Sequence, residues 1–242
     1  MFRKIFFSFL LFMGTTVVFG QLANDTLNQK DAKGRKQGQW IKYNDSGMLK
    51  YKGQFVDDLP VGNFEYYFPD GVVQARSFFS ENGNFTETTV YHHNGNVMTE
   101  GFYRGKVKDS LWKYYDKENV LLKEEFYRET KNDGPWKVFY KNGLVAEEVQ
   151  WKDGKRNGTW KQFFENGKVK VEGYFENDEK EGAVVYYFSN GRTNITGQYD
   201  NSMRIGEWIY MNEDSKVVRI ETYEGGKMVK AKDYGKEKDK DK

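Results

Sequence analysis

The only imidazoles in this 242-residue chain are the adjacent His92 and His93, and there is no cysteine. Neighbours on a strand point to opposite faces, so the two histidines cannot chelate one metal without distortion. They read as a solvated pair at the entry to a turn. A nucleophile–histidine pair would have to use one of them, and nothing orients the nearby Ser80 or Glu81 towards either. Carboxylates come in pairs at Asp57-Asp58, Glu124-Glu125 and Glu147-Glu148. General acid–base work needs burial to drive such pKa values apart, and on a single-layer sheet these groups are expected to be mostly solvated. Glu100, Glu124, Glu148 and Glu172 recur at one spacing and read as a solvated ladder pairing with lysines, with weak cation binding as the functional alternative. Gly154 and Gly226 fall in turns and form no phosphate loop. The expectation is a non-enzyme with no catalytic residues, no cofactor and no metal site. Binding chemistry rests with tryptophan, a preferred interface anchor: Trp40, Trp112, Trp136, Trp160 and Trp208 are the candidate partner-binding residues.

The elements that position them repeat every 24 residues, eight times, without insertion or deletion. The phase marks are Gly38, Gly62, Thr86, Ser110, Gly134, Gly158, Gly182 and Gly206. The tryptophans stand two residues after a mark, in a column completed by Phe64, Thr88 and Val184. Seventeen residues after each mark stands an aromatic in all eight copies: Phe55, Phe79, Tyr103, Tyr127, Trp151, Phe175, Tyr199 and Tyr223. The invariance of this column assigns it to packing; the variation of the tryptophan column favours a surface role. A fixed short period means an array in which each unit buries its apolar face against its neighbours.

Within each unit, an aromatic and β-branched run reaches a turn signal such as Asp70-Gly71, Asn94-Gly95 or Asn166-Gly167, whose residues supply the positive φ of tight hairpin turns. Copies four and eight substitute Glu118-Asn119 and Asp214-Ser215. An aliphatic follows (Leu49, Val73, Val97, Leu121, Val145, Val169, Val217; Thr193 is the lapse), and the second run ends at the aromatic column. Each unit is a β-hairpin, and the short Gly-bearing connections between units make a second set of turns. The predicted fold is all-β, an elongated, twisted single-layer antiparallel meander of about eight hairpins and about sixteen strands. No helix periodicity is present. Gly53, Gly101, Gly173 and Gly197, two residues before the aromatic column, let a neighbouring ring lie on bare backbone. Copy three, Thr86 to Tyr91, lacks glycine and tryptophan and reads as a kink, a site or drift.

The ends and the charge bound the setting. Residues 1–20 look like a secretory signal peptide: Arg3 and Lys4, an apolar stretch from Ile5 to Val18, and Val18-Phe19-Gly20 before a cut at Gln21. Residues 21–34 form a linker, 35–229 the array, and 230–242 a charged tail expected to be disordered. The chain is expected to be exported, to the periplasm, cell surface or medium, with no lipid anchor and no transmembrane segment after processing. Removing Arg3 and Lys4 leaves 36 basic against 36 acidic residues, interspersed along the repeats. Without a basic stripe, nucleic acid is excluded as a partner.

The pattern G-x-W-x-x-[YF]-[YF]-x-[ND]-G, seen in Gly38–Gly47, Gly134–Gly143 and Gly158–Gly167 and less fully in Gly182–Gly191 and Gly206–Ser215, resembles the bacterial variant of the MORN repeat. Proteins known as YwqK-type antitoxins carry that variant. The resemblance covers about residues 35–229 and implies an elongated antiparallel β array used for protein or lipid contact. An export signal and the absence of a fused toxin domain set this chain apart from an intracellular antitoxin. The leading reading is protein–protein interaction or scaffolding through an aromatic and charged surface. An antitoxin or immunity protein and a carbohydrate- or envelope-binding module are the alternatives.

Overall fold

The computed structural model describes residues 27–234. The expected signal peptide, its cleavage site and the end of the tail lie outside the described residues. Among the described residues nineteen strands form one antiparallel meander in which, apart from β10 and β11, each strand pairs with its sequence neighbours. Sixteen of them are the eight hairpins: β2 (Lys36–Tyr43) and β3 (Leu49–Val56), β4 (Leu59–Tyr67) and β5 (Val73–Ser80), β6 (Phe85–Tyr91) and β7 (Val97–Arg104), β8 (Val107–Tyr115) and β9 (Leu121–Arg128), β11 (Gly134–Phe139) and β12 (Val145–Lys152), β13 (Lys155–Phe163) and β14 (Val169–Glu176), β15 (Glu179–Tyr187) and β16 (Thr193–Asp200), β17 (Met203–Met211) and β18 (Val217–Glu224). The fifth unit breaks its first strand, so that β10 (Lys131–Asn132) and β11 both pair with β9. β1 (Gln29–Lys30) and β19 (Lys227–Asp233) close the two ends. The sheet thus extends into the segments read from sequence as linker and tail: β1 pairs with β2 inside 21–34, and β19 runs through Asp233. Among the described residues the only helical element is a single 3-10 turn, Glu81–Gly83.

The phase-mark glycines have a backbone reason. At Gly62, Gly158, Gly182 and Gly206 the pairing with the preceding unit shifts register by a bulge, and the glycines hold φ of +67°, +120°, +71° and +63°. A β-branched residue is strained there. Ser110 stands at the same bulge with φ +57°. In copy three β5 pairs with β6 without a bulge, the 3-10 turn taking up the difference, and Thr86 is accommodated at the mark.

The turn chemistry differs from the sequence expectation. The two-residue turns with two positive φ angles lie between units, at Asp57-Asp58, Glu129-Thr130, Asp153-Gly154, Asn177-Asp178, Asn201-Ser202 and Gly225-Gly226. The Asn-Gly turns inside units are longer, and only the glycine takes positive φ; Asn119 and Ser215 replace it in copies four and eight at +66° and +62°. The asparagine works through its side chain. Asn166 Oδ1 accepts the Lys168 N–H at 3.0 Å, and its Nδ2 donates to the Ser189 carbonyl of the next unit at 3.1 Å. Asn94 and Asn142 make the same bonds to Lys117 and Glu165. The turns therefore tie successive hairpins together as a side-chain ladder.

Candidate functional site

Register places Gly158, Trp160 and Gln162 opposite Phe175, Gly173 and Val171, so the tryptophan column, the glycine column and the second aromatic column share one face. That face is the core. Trp112, Trp160 and Trp208 are 1%, 7% and 0% exposed, and Phe64 and Val184 are buried in the same column. Trp40 and Trp136 are half-buried. The candidate partner-binding reading is therefore corrected for Trp112, Trp160 and Trp208: they are packing residues, and Trp208 has no surface to offer a partner. Alternation along the strand puts the column under its neighbours' rings, and Phe and Val substitute because burial asks only for an apolar group. Rings alternate edge-on along the file, with Tyr103–Trp112 at 4.9 Å and 75° and Tyr199–Trp208 at 5.1 Å and 77°. Such pairs add stabilisation beyond area burial.

The glycine column receives those rings. A Cβ at Gly53, Gly101 or Gly197 would fall inside the ring of Phe64, Trp112 or Trp208 of the following unit. At Gly173 the following unit supplies Val184, and a Cβ would meet ordinary contacts at 3.5 Å. Copy three solves the same problem differently: buried Ser77 and Thr88 hydrogen-bond at 2.9 Å where other units set a ring on glycine.

A third column on this face was not read from the sequence. Two residues before the mark stand Lys36, Lys108, Arg156, Lys180 and Arg204, each with its charge over at least one aromatic ring of its own unit, and Lys180 also 4.9 Å from Trp160 of the preceding unit. Lys36 lies 4.9 Å from the Trp40 centroid and 4.4 Å from Phe55; Lys108 4.5 Å from Trp112 and 5.2 Å from Tyr127. Arg156 lies 4.2 Å from Phe175, Lys180 5.2 Å from Tyr199, and Arg204 4.1 Å from Trp208. The turn 22 residues on fixes three of these cations: Asp58, Asp178 and Ser202 side chains accept the backbone N–H of Lys36, Arg156 and Lys180. Their recurrence at one phase is visible in the sequence, within connections that otherwise read as polar linkers.

Where glutamate replaces the column glycine, a buried polar cluster forms. Glu125, 5% exposed, accepts from Lys123 Nζ at 2.6 Å and Tyr127 Oη at 2.7 Å. Burial pushes its pKa up, but those hydrogen bonds and one from Tyr114 outweigh it and hold the carboxyl below the usual range. Burial and the same carboxylate raise Tyr127 to about 12. The pair Glu124-Glu125 is thus split between faces, and Glu125 departs from the solvated reading. Glu147 also faces inward, accepting from Trp160 Nε1 at 2.9 Å and Gln162 Nε2 at 3.1 Å.

The opposite face is the solvated one. Glu172 pairs with Lys161 at 3.4 Å and accepts the Tyr187 hydroxyl; Glu100 pairs with Lys113 at 3.9 Å and accepts from Tyr115 at 2.8 Å. Phe78 and Tyr174 stand on this face 48% and 45% exposed. His92 and His93 diverge: His92 Nε2 contacts the Tyr115 carbonyl at 3.1 Å, and His93 Nε2 lies 2.6 Å from Asp70 Oδ2. Among the described residues no three His, Asp or Glu side chains converge as metal ligands. No helix there is long and apolar enough to cross a membrane.

The packed face opens into a cleft of about 420 Å³ at the broken strand of the fifth unit. Trp136, Trp151, Val138, Val149 and Phe175 form its walls, and Glu147 and the Arg156–Asp178 ion pair its rim. The two indoles lie 4.9 Å apart at 52°. Their buried Nε1–H groups have no acceptor, a property shared with Trp208.

Three segments, residues 36–57, 132–153 and 156–177, match the family model of the MORN repeat variant. They are the first, fifth and sixth hairpins, each entered at the cation-column position, and the chain carries MORN-variant repeats. No curated protein matches. Among 97 matching chains of solved structures, one from the crystal structure of TcdB2-TccC3-Cdc42 is 10% identical with a TM-score of 0.22. The match covers 81% of this chain and 14% of that one.

Proposed function

We propose that the protein is an exported, non-enzymatic repeat protein that binds another protein through the surface of its array. One observation carries this reading: the sheet is a single layer whose core is confined to one aromatic file, leaving each hairpin a solvated row of side chains. Such rows recur at roughly 10 Å, twice the ~4.8 Å strand spacing, which suits an extended contact better than a reaction centre. Phe78 and Tyr174 add exposed rings to that charged face, as interface cores favour aromatics. Occluding a toxin is the special case suggested by the antitoxin resemblance.

Photo-crosslinking in the producing cell tests the reading. Benzoylphenylalanine placed at Phe78 or Tyr174 is expected to capture the same protein from both positions, outside the cytoplasm, on a chain that begins at Gln21. Capture of the chain by envelope glycan alone, or an intact Met1 on cytoplasmic protein, would overturn it.

A further inference from the structure

We infer that the fifth-unit cleft receives a cationic side chain, a lysine or arginine, of the protein partner. The inference rests on the protein-binding reading above and gives the contact its chemistry. Five units show what this place in the array holds. In each, the residue two before the mark lays an ammonium or guanidinium over at least one aromatic ring of its own unit, at 4.1–5.2 Å from a ring centroid. In the second, third and fifth units that position is Pro60, Asn84 and Asn132, and of these only the fifth carries tryptophan in both ring columns. Its register is the same as elsewhere: Asn132 pairs with Tyr127 as Lys108 pairs with Tyr103 and Arg156 with Trp151. The chain therefore withholds its own cation from the one unit whose two ring columns are both tryptophan, the strongest cation–π acceptor.

The surrounding groups fit an incoming cation. Glu147 stands at the rim, takes both of its hydrogen bonds on Oε1 and makes no ion pair among the described residues. Arg156, the like charge at the rim, is already neutralised by Asp178, 3.2 Å from its Nε. From the neighbouring unit Lys123 reaches only within 5.9 Å of the Trp136 centroid and is engaged by Glu125. A cleft of about 420 Å³ holds one long side chain and its flanking peptide groups.

Indole N–H resonances of the full chain, titrated with Nα-acetyl-lysine methylamide, test this. The signals of Trp136 and Trp151 are expected to shift and saturate while Trp208 stays still. The neutral isostere Nα-acetyl-norleucine methylamide is expected to bind about tenfold more weakly, as loss of one cation–π contact implies. Asn132→Lys is expected to fill the site from within, raising the melting temperature and abolishing the probe response. Equal binding of both amides, saturation by methyl glucoside alone, or an undiminished response in a folded Asn132→Lys variant would overturn it. No response of the unsubstituted chain to the lysine amide would do the same. Failure of the probe together with capture at Phe78 and Tyr174 would remove the cation site and leave protein binding standing.

Discussion

Glu125 and Glu221 occupy the same position four units apart and are held by the same contacts. Tyr127 and Lys123 hydrogen-bond the first; Tyr223 and Arg219 hydrogen-bond the second at 3.0 and 2.7 Å. Tyr210 donates to Glu221 at 2.6 Å, as Tyr114 does to Glu125, and Lys108 and Arg204 stand behind. Both sites replace the glycine that elsewhere lies under a ring. Besides the Ser77–Thr88 pair and Val149, the array thus tolerates a ring on bare backbone or a carboxylate saturated by its neighbours at this position.

The carboxylates make the array acid-labile. Hydrogen bonds from Lys52 and Tyr67 lower Glu65 from 4.5 to about 2. Glu125 is lowered against its burial, and Glu221 is lowered chiefly by Tyr210. A carboxyl whose folded pKa is depressed stabilises fully above its unfolded value, and that stability is lost as pH falls through the folded one. Urea melts are expected to be flat above pH ~5 and to weaken from about 4.5 towards 2. Glu65→Gln should flatten that limb; an unchanged acid limb in the variant would contradict the assignment.

The glycine column separates close approach from mere smallness. Gly197→Ala drives a methyl into the Trp208 ring and is expected to cost about 1–3 kcal/mol, as overpacking does. Gly173→Ala meets only ordinary contacts and should cost less. Urea denaturation of the two variants side by side decides it.

Away from the fifth-unit cleft, both aromatic columns are structural. Phe175→Ala and Trp208→Ala are each expected to cost about 3–5 kcal/mol, and Trp136→Ala less, because half-buried Trp136 already borders open volume. A Trp208 truncation as mild as that of Trp136 would return the tryptophans to the surface.

Much of this was legible in the sequence, because glycine and aromatic positions recur at fixed phase. The period, the hairpins and the rings resting on Gly53, Gly101 and Gly197 follow from it. The tryptophan column was misread for a physical reason: a buried apolar site accepts Trp, Phe or Val wherever neighbours fill the difference, so variation at Phe64 and Val184 does not signal exposure. Strand parity already placed Trp160 on the face of Phe175. The cation column was missed because Lys36, Lys108 and Arg204 sit in polar connections, where charge alone does not reveal a ring beneath. The cleft was missed because it lies at a break in the strand that the unbroken period conceals.

The central structural claim is that 24 residues are the unit of folding and packing, and whole-unit deletion tests it most directly. Removing residues 182–205 joins Glu181 to Gly206 in phase and takes out one hairpin. The account predicts a soluble, cooperatively melting array with unchanged aromatic circular dichroism per unit and a lower melting temperature. Removing residues 182–193 takes out one strand and its turn, reverses the direction of every strand that follows, and is expected to leave unpaired edges and aggregate. A half-unit deletion as soluble and as cooperative as the whole-unit one would contradict the account.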